Sequence, residues 1–390
     1  MKKLLLTSRS IGSFCGLREH FPAIVSKCVV HFSLIACSNF CLSFGTLAYG
    51  LESQKSSRIE DLKAQFKANP KDVKIISALA QGFFDSEDYE RASALLWENI
   101  EKIERQDVLL MIKAHEKRNE QDQILKAIQI LLSKRANDAE ALTLQGRAYL
   151  SKSRQLSPAE SKRQKLPSLG LESLKKALEA DPKYVPAYEE IAKIYDRKDK
   201  PNFYELRLVY QDMIENIGPK HEFFAKLCKI DFLDGVNDPA IESCNKAIQL
   251  DDSSPDSHVY LGLVYRQIGE NEKGIKILKE AAKKFPKSLF AIESYAKSMS
   301  EEKNFIESFK FYEQCLLLNK QTETCLVGAG VAASELQKFE KSLNYLKLAC
   351  DISYKNAVVV RRIASQLKTS KLASWLIKFE NLANTCSGGR

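Results

Sequence analysis

The chain has 390 residues with 59 Lys and Arg against 50 Asp and Glu, a formal net charge of +9. The first 50 residues hold five Lys or Arg and one Glu, so they carry +4 of it (5 − 1). The remainder is only mildly basic, which argues against a dedicated nucleic-acid binder.

The N-terminal segment, 1–50, reads as a targeting segment. From Cys28 to Leu51 there is no charged residue, with Lys27 before it and Glu52 after it. About twenty apolar residues suffice to cross a bilayer, but Ser33, Ser38, Asn39, Ser43 and Thr46 dilute this stretch. A signal peptide cleaved near Ala48 or Gly50 fits it best. Three other readings stay open: an uncleaved anchor over 28–51, a lipoprotein and a mitochondrial presequence. In the lipoprotein reading Leu34-Ile35-Ala36-Cys37 resembles a cleavage box and Cys37 would be lipidated. The expectation is export to the periplasm or cell envelope, with membrane association through 28–51 left open. Residues 51–72 follow as a linker and capping helix, Ile59–Ala68, ending at Asn69-Pro70.

From about Val73 the chain restates itself roughly every 34 residues. The clearest copy runs from Pro255 to Ser288, with Leu261-Gly262, Tyr265, Gly269, Ala281 and Pro286 at helix-hairpin spacings. In Ser257–Gln267 and Glu272–Lys284 the apolar residues recur at three- and four-residue spacing, the pattern of two amphipathic helices. Gly269 supplies the positive φ that ends the first, and Ser254-Pro255 supplies a start with a hydroxyl cap and an N1 proline. Asp238-Pro239 reads as a second such start. Small residues recur where paired helices must approach: Ala92, Ala177, Ala240, Ala247, Ala281 and Ala349. A fixed period of this size means stacked units, because one hairpin cannot bury its apolar face alone.

These units resemble tetratricopeptide repeats. His258, Leu261, Gly262 and Tyr265 stand in the first part of that family's pattern, and Gly274, Leu278, Ala281 and Pro286 in the second. The resemblance implies an all-α, right-handed solenoid of helix-turn-helix repeats with terminal capping helices. Eight units fit, 73–104, 105–138, 139–184, 185–220, 221–254, 255–288, 289–322 and 323–356, followed by a C-terminal capping hairpin and tail over 357–390. The third unit carries a basic insertion, 153–166, in which Ser157-Pro158-Ala159-Glu160 has capping-box spacing. The fourth is extended around Lys200-Pro201-Asn202.

The cysteines Cys228, Cys244, Cys315 and Cys350 fall in slots for small or apolar side chains and read as buried free thiols. A Cys228–Cys244 bridge needs Cα atoms within about 7 Å. No C-x-x-C and no H-E-x-x-H occurs, and His115, His221 and His258 fall in different units, so no metal or cofactor is expected. Gly328-Ala329-Gly330 lies inside a predicted helix and makes no phosphate loop. The reading is of a non-enzyme.

In the resembled family the first helix of each unit lines a concave groove. Here Lys113, Arg147, Lys193, Lys229 and Lys297 take one slot of those helices, and the row lapses at Leu263. Such a row suits another protein offering an acidic segment. The family's two-carboxylate clamp is not matched, because Thr143, Glu189 and Ala225 stand where its further residues belong. The functional expectation is a scaffold that captures a partner segment in assembling or stabilising an envelope complex. The alternatives are a membrane-anchored intracellular adaptor, and a glycan-binding or enzyme-accessory repeat protein using Phe84 and Phe232.

Overall fold

The computed structural model describes residues 57–368 and 372–387, so the targeting segment with Cys37 and 28–51 lies outside the described residues. These residues are helices joined by short turns, with no strand among them. Two compact units divide the chain after Ala136.

In the first unit a helix over 57–68 (α1) precedes two hairpins, α2 Val73–Asp85 with α3 Tyr89–Glu98, and α4 Arg105–Lys117 with α5 Gln121–Lys134. Ile59 of α1 lies against Gly82 of α2, so the expected N-terminal cap is in place. Asp72 and Asp88 start α2 and α3 by accepting from exposed amides of the first turn.

The second unit begins with α6 Ala139–Gln155, a short α7 Pro158–Arg163 and α8 Leu166–Ala180. Four regular hairpins come after the pair α9 Val185–Tyr195 and α10 Phe203–Ile217. They are α11 His221–Asp234 with α12 Asn237–Leu250, α13 Pro255–Gln267 with α14 Asn271–Lys284, α15 Leu289–Glu301 with α16 Phe305–Leu318, and α17 Glu323–Glu335 with α18 Phe339–Ile352. The closing hairpin is α19 Ala357–Leu367 and α20 Ala373–Ser387. Part of the insertion extends α6, and the rest forms α7, capped reciprocally by Ser157 and Glu160. Asn202 of the other extension caps α10.

Why these pairs close so tightly is visible at Gly146 and Gly170, and again at Gly262 and Gly274. A Cβ on Gly274 would lie 2.6 Å from the carbonyl oxygen of Gly262, so backbone meets backbone there. Three other hairpins have small equivalent pairs, Ala80 and Ala92, Cys228 and Ala240, Ala296 and Ser308, whereas α4 and α5 meet at Ile112 and Ile124 and α9 and α10 at Ala192 and Leu206. At Gly330 and Ser342 the hydroxyl fills the contact by donating to the glycine carbonyl, 2.7 Å away. Around these contacts the core is aliphatic and aromatic, with Ile292, Tyr295, Leu278 and Leu326 almost wholly enclosed.

Two expected helix starts differ in detail. Ser254 precedes Pro255 as expected, but its hydroxyl makes no capping bond. Asp238-Pro239 lies inside the first turn of α12, whose preceding residue is Val236. Proline fits anywhere in that turn because no amide there has an intrahelical acceptor.

The cysteines overturn the expectation of free thiols. Cys228 bridges Cys244, with Cα atoms 4.9 Å apart, and joins α11 to α12. Cys315 bridges Cys325 from α16 to α17, and Cys350 bridges Cys386 from α18 to the closing α20. Every cysteine among the described residues is thus paired. A half-cystine fills a small apolar slot as alanine does, so the slot alone does not tell a thiol from a bridge.

Candidate partner-binding groove

The first helices touch one another in two runs as well as meeting their own partners: α6 meets α9, and α11, α13, α15, α17 and α19 meet in sequence. The helices of each run therefore present a common face. On a helix, residues three, four and seven apart share a side, so the second, sixth, ninth and twelfth residues form one stripe.

The five expected cations fall on first helices, but in unlike settings. Lys113 is exposed on α4 of the first unit. In the second unit Lys193 and Lys297 are exposed, while Arg147 and Lys229 are half-buried. Glu190 of α9 sits between two of them. Its Oε1 lies 2.9 Å from Lys193 Nζ and 3.3 Å from Arg147 Nε. The Lys193 contact is a hydrogen bond, whereas Arg147 Nε has no directed partner and meets Glu190 through charge alone. One carboxylate thus offsets part of the positive row that spacing suggested. Thr143, at a clamp position, is buried and donates its hydroxyl to Ala139 O (2.8 Å), so it faces away from any ligand.

Three rings cross the same face. Phe232 of α11 and Tyr260 of α13 have centroids 5.4 Å apart, and Tyr260 and Phe290 of α15 are 5.2 Å apart. All three are half-buried. Burial, and then the carboxylate of Asp256, pushes the Tyr260 hydroxyl's pKa up. Of these, spacing singled out only Phe232. Phe84, the other aromatic candidate, packs edge-on against Tyr89 of its own hairpin at 5.2 Å.

Other polar groups brace the stack. Arg207 of α10 donates from Nε to Asp231 Oδ1 (2.7 Å) and from a terminal nitrogen to Asp234 Oδ2 (2.9 Å). Arg266 of α13 reaches the next unit, donating to Ser298 Oγ (2.9 Å), Glu302 Oε1 (3.1 Å) and Glu301. Glu301 and Glu302 are therefore ion-pair partners as well as solvated ends.

The histidines are absorbed by neighbours. His115 accepts at Nε2 from Trp97 Nε1 (3.0 Å), and its Nδ1 lies 2.7 Å from Glu120. That network places the ring proton on Nδ1. His258 packs on Phe285, 5.4 Å between centroids, and its Nε2 lies 2.6 Å from Asp252. Among the described residues no group of three or more His, Cys, Asp or Glu converges as a metal site. Also among them, no helix is long and apolar enough to cross a membrane.

No family model and no curated protein matches the chain. Among solved structures it is similar to yeast Tom70 at 13% identity, covering 89% of this chain and 95% of that one, with a TM-score of 0.38. It is also similar to a tetratricopeptide repeat protein from Parabacteroides merdae, at 13% identity over 71% of this chain and 98% of that one, TM-score 0.47. YrrB, described as a TPR protein, matches at 14% identity over 52% and 97%, TM-score 0.35. With a 34-residue period, hairpins closed through small residues and first helices sharing one face, the described residues form an array of tetratricopeptide-like helical hairpins.

Proposed function

We propose that the chain is a non-catalytic protein-interaction scaffold that takes a partner's acidic segment along the face of its first helices. The observation that carries this reading is the placement of Lys229 and Lys297 on the contiguous first helices α11 to α15, and of Lys193 with Arg147 on the contiguous first helices α9 and α6. Each exposed charge pair contributes only about 0–1 kcal/mol, so the row orients a ligand and tunes its affinity. Tight binding needs apolar contact in addition.

The test uses the full oxidised chain and a 12-residue peptide of alternating aspartate and serine at low salt, where screening is weak. Reversing Lys193 and Lys229 to glutamate is expected to weaken its binding by about tenfold or more. Reversing Lys276 and Lys279, exposed on the second helix α14, is the matched control and should leave binding intact. Equal retention by both variants would remove the groove reading.

The same reading places the scaffold in an oxidising compartment, in the assembly or stabilisation of an envelope complex. Support comes from the three disulfides, which persist outside the reducing cytosol. Intact mass of the chain from fractionated cells checks it. A soluble product lacking about fifty residues means a cleaved signal. A lipidated product beginning at Cys37 means a tether, and full-length recovery in the membrane means an anchor.

A further inference from the structure

The rings of Phe232, Tyr260 and Phe290 are the twelfth, sixth and second residues of α11, α13 and α15. They therefore step diagonally across three adjoining first helices and enter each helix nearer its start. Lys229, Leu263 and Lys297 are the ninth residues of the same helices, on the same stripe. A half-buried aromatic line is thus flanked by a lysine at either end, with Leu263 between them. Lys226, the sixth residue of α11 and exposed, adds a third cation to the stripe, and the exposed acids Glu222 and Asp256, the second residues of α11 and α13, limit the positive region to the stretch around these lysines.

Resting on the groove reading, we infer that the partner is an extended polypeptide with an aromatic or long aliphatic side chain flanked by carboxylates. The apolar side chain lodges on the Phe232–Tyr260–Phe290 line, and the carboxylates reach Lys229 and Lys297. Charge and ring geometry both select this occupant. The planes are tilted by 47° between Phe232 and Tyr260 and by 56° between Tyr260 and Phe290. Rings tilted against one another and half-buried offer edges as well as faces to an apolar side chain, and no flat, open platform on which a sugar face would stack. The lysines add attraction for carboxylates, which a neutral sugar lacks. Aromatic anchors of this kind carry most of the energy of an interface when a partner side chain closes them from water.

The test compares the aspartate–serine peptide with one in which two serines are replaced by phenylalanine, each titrated into the full oxidised chain. The phenylalanine peptide is expected to bind at least about tenfold tighter. Tyr260→Ala and Phe232→Ala should erase that gain, whereas Lys229→Glu should weaken both peptides. Ring resonances of Tyr260 and Phe290 in the unaltered chain give a second measurement that does not depend on the variants folding. They should shift with the phenylalanine peptide and stay in place with the other. If both peptides bind equally and both respond to Lys229→Glu, the aromatic line is not a site and the groove reading survives. Indifference of both peptides to Lys229→Glu and to Lys193→Glu with Lys229→Glu overturns both. Binding of chitohexaose that is lost in Tyr260→Ala, with no gain for the phenylalanine peptide, would assign the line to carbohydrate.

Discussion

A Cβ on Gly262 would lie 2.7 Å from Leu278 Cγ, so α13 and α14 meet through a side chain that is not there. Leu278 is fully enclosed and cannot swing aside. A second obstacle, the Gly274 carbonyl at 3.0 Å, belongs to backbone. Gly262→Ala gains up to about 1 kcal/mol in helix propensity. Overpacking costs about 1–3 kcal/mol and prevails. The expected result is a net loss of about 1–2 kcal/mol in urea unfolding with an unchanged m-value.

Arg207 and Asp231 give a pH-dependent test. The Asp231 side chain is 2% exposed, and burial raises its pKa while the Arg207 bond pulls it down; burial prevails. Removing Arg207 strands a buried carboxylate, so Arg207→Ala should cost about 3–5 kcal/mol near neutral pH. An unfolded aspartate titrates near about 3.9, below the folded value. The folded variant therefore binds the proton on Asp231 more readily, and the contribution of this group to its stability is fullest at low pH and is lost as pH rises through the raised folded pKa. The deficit against the unaltered protein should shrink on going from pH 7 toward pH 5, as read by denaturant midpoints at each pH.

The three bridges differ in access. Cys228, Cys244, Cys315 and Cys325 are fully enclosed, and Cys386 is 7% exposed, whereas Cys350 is half-buried at the surface. Without reductant, iodoacetamide should add nothing to the six. Under mild reduction the first two adducts should map to Cys350 and Cys386. Replacing Cys228 and Cys244 together by serine is expected to cost about 3 kcal/mol, the value for a closed loop of this size in the chain-entropy account.

Glu190 holds Lys193 and crowds Arg147, so it competes with any incoming carboxylate. Glu190→Gln should strengthen binding of the aspartate–serine peptide by about two- to fivefold at low salt, within the range of one exposed pair. The same variant should show a steeper decline with added salt, measured by titration at two ionic strengths.

The period, the helix pairing, both terminal caps and the helical turn in the insertion are legible in the sequence. They follow from residue spacing along one hairpin, and spacing is what a sequence records. The bridges are not legible, because Cys228 and Cys315 occupy slots that alanine fills in sister units. Glu190's role escapes for another reason. Its two cations stand on α6 and α9, and which carboxylate lies between them depends on how those helices pack. The aromatic line hides because its members occupy three different slots, and a search along one slot finds lysine, leucine and lysine.

All three covalent links lie between residues 228 and 386, and each joins helices that are already neighbours. Hairpins in such an array come apart one after another from a free end. The C-terminal end is riveted, because α20 cannot leave while Cys386 holds it to α18. Within the second unit the Cys228–Cys244 link ties the two helices of one hairpin and leaves α12 able to part from α13. Unravelling from the side of α6 therefore first meets a covalent link between hairpins at Cys315–Cys325, and the stretch from α16 onward is the part held together.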